Sequence, residues 1–584
     1  MEGKFNENDR KIKDRVPVII AGGGITGLTA ALFLVKYGIT PLLVERHRST
    51  SIHPRSRGFD VRTMELYREL QLSEPIREAG KALSGAWGIH TSPSMAAALR
   101  KKKPRKGKAI TSPIQIKGLE SLMAQTPEPG ARCTQDLCEP VLVAAAMDRG
   151  ADIRFYHELV SFSQNDDHVV AIVKNRETGE EQTIIANYMI AADGAKSKVR
   201  DALKAATTGK GALGDLLNIY FEADLADFVR GLEFSLIRIR QAETTGLLAS
   251  INNSDRWVFH LSYDPVKGER PEDFTEERVV AILKKVIGLP EVAIRVISIL
   301  PWQPTVKVVN EMQYGRIFLA GDAAHVMTPY GGKGANSGVQ DVHNLSWKIA
   351  AVIHDKASPA LLRTYSIERQ PVGLHYATLS GEMADKKGLL GKIPYNKIRA
   401  FLLVKMVSLL GLDKLLPNTA MLQLGMLFGL PEYTYSSSAV MSNGLRARRY
   451  NDNDTRPRGY TKTGAFNGKP GTRAPHIQVE YRHKNISTLD LLGKDFVLFT
   501  GINNAEWQKA AADAGCKMKI PIPVYSIGET GDLYFAARSV KDVFGISDAG
   551  AILVRPDGFV AWRCVKGYPK DTALEDVLKA ILSR

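Results

Sequence analysis

Apolar residues recur along this chain with two different periods, and the switches between them mark out its elements. Val18-Ile-Ile-Ala21 is an unbroken apolar run, the pattern of a parallel strand covered on both faces. Glycines at 22, 24 and 27 interrupt it, and helical spacing takes over across Leu28–Val35. Thr40-Pro-Leu-Leu-Val44 predicts a second strand, and the spacing predicts helices over Val61–Leu70 and Leu137–Met147. Strands are predicted at Asp152–Phe155, Val169–Val173 and Ile184–Ala192. Between Asn218 and Pro301 alternation dominates, as in Asn218-Ile-Tyr-Phe-Glu-Ala223 and Arg256-Trp-Val-Phe-His-Leu-Ser262, with a helix near Glu276–Ile287. Arg316-Ile-Phe-Leu-Ala320 predicts another buried strand, and a glycine-rich loop, Gly331–Asn336, precedes a helix over Val339–Val352. The last stretch offers strand Asp495–Thr500, helix Glu506–Ala514, strands Ile552–Arg555 and Phe559–Arg563 around a Pro556-Asp-Gly558 turn, and helix Leu574–Leu582.

This order predicts an α/β protein, and 584 residues exceed what one core usually organises. Residues 14–200 and 310–385 form a discontinuous nucleotide-binding domain, with 81–130 contributing to the neighbouring layer. Residues 201–309 form a mixed-sheet domain, 386–450 a helical segment, 451–475 a Pro-, Gly- and Arg-rich linker, and 476–584 a C-terminal domain. No internal repeat is evident.

Composition narrows the classes. The 44% hydrophobic and 24% charged shares are those of a globular protein, and Met1–Arg15 is charged, with no leader expected. Cys133, Cys138, Cys516 and Cys564 form no Cys-x-x-Cys, which argues against a disulfide framework or a zinc ribbon and for a reducing cytoplasm; no metal site is expected. The net charge of +16 is partly local, with seven cations between Arg100 and Lys108. Such a run attracts polyanions or forms a solvated loop; no aromatic residue interrupts it, so no nucleic-acid partner is expected. Attraction of an anionic cofactor is a further role for it. The Leu-, Met- and Phe-rich Ile398–Leu430 is broken by Lys405, Asp413, Lys414 and Pro417, so it is read as buried or subunit-interface helices rather than a membrane span, with an in-plane membrane helix as the alternative.

Candidate chemistry begins at Gly22-x-Gly24-x-x-Gly27. After a strand and before a helix, these glycines allow a tight turn, close backbone approach to a pyrophosphate and close helix packing. Glu45, at the end of the next strand, is placed to accept hydrogen bonds from a ribose hydroxyl. Gly321-Asp322-Ala-Ala-His325 and the loop that follows form a second strand-loop-helix of ligand-binding character.

Together with Ala192-Asp193-Gly194, Pro329 and Leu361-Leu-Arg-Thr-Tyr365-Ser-Ile-Glu368-Arg369-Gln-Pro371, these segments resemble the FAD-dependent aromatic hydroxylases of the p-hydroxybenzoate hydroxylase type. His53-Pro-Arg55-Ser-Arg57 and Gln135 add to the resemblance, which covers nearly the whole chain and is strongest for enzymes that hydroxylate polyketides or substituted phenols. It implies a Rossmann-type FAD-binding domain and a C-terminal thioredoxin-like domain. Gly501-Ile-Asn-Asn-Ala505 stands where a thioredoxin carries its cysteines, so no thiol chemistry is expected there. By the same resemblance Gly22, Gly24, Gly27, Glu45 and Arg46 bind the ADP half of FAD, and Arg55, Gln135, Asp193 and Asp322 also contact cofactor. Pro329, Gly332, Gly334, Ala335 and Asn336 lie near the flavin ring. Lys333 stands where many relatives carry a neutral residue, and faces either an anionic ligand or solvent.

The activity implied is monooxygenation: NADPH or NADH reduces FAD, and a C4a-hydroperoxyflavin formed with O2 delivers OH to an aromatic, phenolic or polycyclic polyketide-like, substrate. Such chemistry needs an electron-rich ring, so a base, relay or cation belongs nearby, and His260 and Tyr263 are the candidates. Baeyer–Villiger or oxidase chemistry on the same scaffold is the alternative, and a flavin-bound redox sensor is a third reading. A homodimer is compatible with the sequence.

Overall fold

Strand Ile12–Ala21 runs between two parallel neighbours, Leu42–Glu45 and Glu181–Ala191. Its Val18, Ile19 and Ile20 are fully buried, as an apolar run covered on both faces must be. Ile317–Leu319 extends the parallel set on one side and Asp152–Phe155 on the other, while His157–Gln164 and Val169–Asn175 add an antiparallel meander to Glu181–Ala191. Helix Ile25–Lys36 packs between helices Gly334–Ile353 and Gln135–Asp148. Leu28 through Leu34 are all buried, so this helix shows almost no polar face in its sequence. The arrangement is Rossmann-type. The computed structural model describes residues 12–86, 88–100, 125–391, 429–431, 433–441, 466–535, 540–569 and 573–584. Residues 101–108 of the basic run, 398–428 of the apolar stretch and 451–465 of the linker lie outside them.

A second, six-stranded sheet has the order Arg295–Trp302, Asp215–Glu222, Arg256–Tyr263, Thr245–Ser250, Leu236–Arg240, Ile89–Ser92. It is mixed, because Ile89–Ser92, from the stretch after Gly80, pairs parallel with Leu236–Arg240 and the other pairs are antiparallel. One face carries Leu217, Ile219, Phe221, Trp257, Phe259 and Leu261 against Val279, Leu283, Val286 and Ile287 of helix Glu276–Ile287. The other face looks toward the nucleotide-binding sheet. A small sheet of His325–Val326, Thr305–Val309 and Thr207–Ala212 joins the two parts. Thr207–Ala212 is exposed along its whole length, so it carries no apolar alternation to predict it.

The C-terminal sheet has the order Val524–Ser526, Val497–Thr500, Ala551–Val554, Val560–Cys564, with one parallel and then two antiparallel pairings. Helix Ala505–Met518 makes the crossover between the parallel strands, and Leu574–Ile581 packs beside it. This is the thioredoxin-like βαβ–ββα order. Trp507, Ala511, Leu574, Val577 and Ile581 share one core with Trp347 and Leu361 of the nucleotide-binding part, so the two are packed through a common apolar layer. Buried ion pairs cross the same boundary: Glu65 with Arg473, and Glu368 with Arg555.

Candidate active site

Between the nucleotide-binding sheet and the open face of the six-stranded sheet lies a cavity of about 2350 Å³. Its first end is built by the glycine turn. Gly22 has φ +108° and donates its N–H to Val44 O at 2.9 Å. A Cβ on Gly27 would sit 1.9 Å from Gly22 O, so the helix approaches the turn as only glycine allows. Glu45 closes the turn, accepting the Gly23 N–H at 2.6 Å and the His47 N–H at 2.9 Å. Arg46 lines the same end.

Arg55 and Gln135 are brought together: the Gln135 N–H donates to Arg55 O at 2.8 Å, and the Gln135 side chain donates to Glu139 Oε1 at 2.6 Å. Asp193 is committed to its own backbone neighbourhood, accepting Ser197 Oγ–H at 2.5 Å and the Val199 N–H at 3.2 Å at the start of helix Lys198–Ala202. Asp322 is open to the cavity yet walled by protein. Burial raises its carboxyl above the usual range, against the pull of His325, Arg55 and Arg200.

Helix Gly334–Ile353 starts earlier than the sequence suggested. Gly334, Ala335 and Asn336 form its first turn instead of a loop before Val339. A Cβ on Gly338 would lie 2.3 Å from Thr26 Oγ1, so small residues here serve close packing on helix Ile25–Lys36. Unpaired first-turn N–H groups and the positive end of the helix therefore face the cavity beside Pro329 and Gly332. Lys333 points neither into solvent nor at an open anion site: its Nζ lies 3.3 Å from Asp60 Oδ2, with the side chain 11% exposed. Asp60 in turn donates its N–H to Asn336 Oδ1 at 2.9 Å, pinning the loop after Arg57 to this helix.

Behind the loop, His325 Nε2 meets Asp341 Oδ2 at 2.6 Å, and Arg369 donates to Asp341 Oδ1 at 2.8 Å. Asp341 Oδ2 also accepts the Gly321 N–H at 3.1 Å. Burial opposes charge on every member, but the opposite charges prevail and hold the Asp341 carboxyl below its usual range. Arg369 continues to the hydroxyls of Tyr433 and Tyr435, at 3.0 and 3.2 Å.

Both candidate bases line the cavity. His260 lies with Val258 on the cavity face of strand Arg256–Tyr263, and Tyr263, at the end of the strand, also borders the cavity while packing on Phe274 at 6.0 Å beside the Trp257–Phe259–Leu261 core. Burial, with Arg57 and His53, lowers His260 to about 3, so it stands neutral and is a weak proton acceptor. Arg57, His53, Asn218 and Trp302 also line this end. His53 and Arg57 stand in the His-Pro-Arg-Ser-Arg stretch and Asn218 on an alternating strand, which are the signals that point to them; nothing local marks Trp302.

The cradle fits a dinucleotide. Two helix N-termini, a glycine backbone edge, the Arg55 cation and Asp322 converge on one crevice, and Gly24 leaves it open, a Cβ there having nothing nearer than 3.6 Å. Among the described residues no group of His, Cys, Asp and Glu is arranged to hold a metal ion, and no helix is long and apolar enough to cross a membrane.

Comparison with known proteins agrees with this geometry. The FAD binding domain family matches residues 15–379, and the aromatic-ring hydroxylase C-terminal family matches 467–584. The chain is 34% identical to tetracenomycin A2 monooxygenase-dioxygenase of Streptomyces glaucescens, over 98% of this chain and 97% of that one. It is 33% identical to 4-methyl-5-nitrocatechol 5-monooxygenase of a Burkholderia species, over 97% and 98%. A crystal structure of aklavinone-11 hydroxylase with FAD and aklavinone superposes with a TM-score of 0.78 at 30% identity, covering 99% of this chain and 100% of that one. The chain belongs to the FAD-dependent aromatic-ring hydroxylases and is a flavin monooxygenase of that family.

Proposed function

We propose that this enzyme uses NAD(P)H and O2 to hydroxylate a phenolic ring of a polycyclic, polyketide-like substrate. The observation that carries the substrate class is the lining of the cavity. Beyond the nucleotide crevice its wall offers a broad apolar face: Leu236, Leu247, Ala249, Ile251, Val258 and Leu300. A flat fused-ring molecule suits such a wall better than a single small ring.

In this reading Gly22, Gly24 and Gly27 present backbone to the pyrophosphate at a helix N-terminus, with Arg55 as its cation. Glu45 Oε1 is taken by His47, but Oε2 accepts only the Gly23 N–H and keeps a lone pair for a ribose hydroxyl, and Asp322 holds the sugar-alcohol chain. Gln135, Pro329 and the amides of Gly332, Gly334, Ala335 and Asn336 frame the ring, with the helix end favouring negative charge there. Asp193 acts indirectly, by fixing the turn that borders the crevice. Bound flavin supplies the oxygen chemistry that side chains lack, and the protein supplies orientation and exclusion of water. Four free cysteines suit a reducing, cytoplasmic setting.

The test is NADPH and NADH oxidation by the FAD-loaded enzyme with polycyclic phenols and with monocyclic catechols. Stimulation by the polycyclic set, with product heavier by one oxygen atom, is expected. Stimulation by catechols alone would overturn the substrate class, and indifference to both pyridine nucleotides would overturn the electron donor.

A further inference from the structure

Arg57 is a cation without a counter-ion. Its side chain is half-buried at the wall of the cavity with Nε shielded from solvent, and among the described residues no carboxylate pairs with it. Nη2 donates to two backbone carbonyls, Ser235 O at 3.1 Å and Ser250 O, at adjoining ends of strands Leu236–Arg240 and Thr245–Ser250. Nε has no partner. Burial, with Arg132 nearby, lowers Arg57 to about 9, which leaves it protonated at neutral pH. A charge shielded in this way is costly unless an anion completes it.

Other polar groups at the same end of the cavity are also incomplete. His260 Nδ1, Asn218 Oδ1, Trp302 Nε1 and both ring nitrogens of His53 are buried with no hydrogen-bond partner. They are neighbours by construction. His260 and Asn218 face each other across paired strands, and Trp302 meets His260 edge to face with ring centroids 5.8 Å apart. Unsatisfied buried polar groups are rare in folded proteins, and a cluster around one cavity wall marks where a ligand supplies the missing partners.

Guanidinium geometry says what kind of ligand. Both bidentate edges of an arginine include Nη2, whose two hydrogens are here taken by Ser235 O and Ser250 O. A carboxylate, which seeks a two-pronged edge, is poorly served. The hydrogens left on Nη1 and Nε suit single oxygens.

Resting on the hydroxylase reading above, we infer that Arg57, with Asn218 and His260, forms the subsite for one ionised ring oxygen of the substrate, selecting phenolates over O-methylated or carboxylate-bearing rings. Asn218 Oδ1 accepts the hydrogen bond of a neighbouring ring hydroxyl, with the neutral His260 beside it. Arg57 is thus a specificity-determining residue: it favours the ionised, electron-rich form of the ring that an electrophilic oxygen requires.

The experiment is a difference-absorbance titration of the FAD-loaded enzyme with 1,8-dihydroxyanthraquinone, whose colour reports ionisation, at a pH where the free dye is neutral. The wild-type protein should bind it with the band of the anion. Arg57→Met should abolish that band and weaken binding by about 10- to 100-fold, the usual weight of a charge-assisted hydrogen bond. Arg57→Lys should keep the band with intermediate affinity, and the mono-O-methyl dye should lose most of the Arg57 dependence. Flavin content reports whether each variant is folded, and Asn218→Leu, which leaves Arg57 in place, gives a weaker but still anionic complex should Arg57→Met fail to hold FAD. No binding by the wild-type enzyme, binding of the neutral dye, or an anion band that survives Arg57→Met would each overturn the inference. Turnover with polycyclic phenols decides the hydroxylase reading separately, so an enzyme that hydroxylates them but binds the dye neutral refutes only the Arg57 subsite.

Discussion

Arg555 of the thioredoxin-like domain donates to both carboxylate oxygens of Glu368, at 2.6 and 3.0 Å, and neither side chain reaches solvent. Lys348 adds a third donor at 2.8 Å. Burial alone would raise the Glu368 carboxyl, but Arg555 and Lys348 outweigh it and hold the group well below the carboxylate range. The C-terminal domain is therefore joined to the flavin-binding part by charge as well as by the Trp347–Trp507 apolar layer. Removing one partner of such a pair strands the other. Arg555→Ala should lower the unfolding free energy by about 3–5 kcal/mol, read by chemical denaturation with saturating FAD. A loss under ~1 kcal/mol would mean that water reaches and solvates Glu368.

Glu69 gives a pH dependence with a definite sign. Burial would raise its carboxyl, yet Lys36 at 2.6 Å and His343 at 3.2 Å bring it down from 4.5 to about 2. A carboxyl lower in the folded than in the unfolded chain stabilises above the unfolded value and loses that contribution as pH falls through the folded one. Glu69→Gln should cost up to about 3 kcal/mol at neutral pH. The gap from wild type should close as pH falls from 4.5 toward 2. A gap that is constant with pH would assign the loss to packing.

Gly24 and Gly27 separate cofactor from fold. Alanine at Gly27 drives its Cβ to 1.9 Å from Gly22 O and should prevent correct folding. Alanine at Gly24 has no protein atom nearer than 3.6 Å, so the chain should fold normally. Loss of FAD affinity in Gly24→Ala, about 10- to 100-fold by the usual cost of overpacking, would then report close approach of the cofactor to this backbone. Unchanged affinity in a folded Gly24→Ala protein would move the pyrophosphate elsewhere.

Cys516 is exposed on helix Ala505–Met518, and Cys564 ends strand Val560–Cys564 with its thiol 2.8 Å from Gly567 O; both are free. Neither stands at Gly501–Ala505, the position of a thioredoxin's active thiols. Serine at both positions should leave substrate-stimulated NADPH oxidation within about twofold, since each hydroxyl keeps the size and hydrogen bonding of the thiol. A folded, flavin-loaded double variant without turnover would require a thiol-dependent step.

Local sequence is enough for the elements whose backbone conformation depends on near neighbours. The apolar run at Val18–Ala21, the glycines that permit a tight turn after it and the helical spacing that follows mark the Rossmann turn locally, and so it was legible, as were helix Glu276–Ile287 and the C-terminal strands. Tertiary structure decided which faces meet. Alternation separates Val258 and His260 from Trp257, Phe259 and Leu261 along one strand, but only the packing of helix Glu276–Ile287 on the Trp257 face left the His260 side to the cavity. Thr207–Ala212 and the early start of helix Gly334–Ile353 carry no sequence signal, because an exposed strand has no apolar period and because glycine is a poor helix former until close packing on Thr26 demands it. Lys333 with Asp60, Glu368 with Arg555 and Arg57 with two strand-end carbonyls join residues far apart in the chain. Charge pairing at a distance leaves no period or spacing in a sequence, and so it is fixed only when folding encloses the partners together.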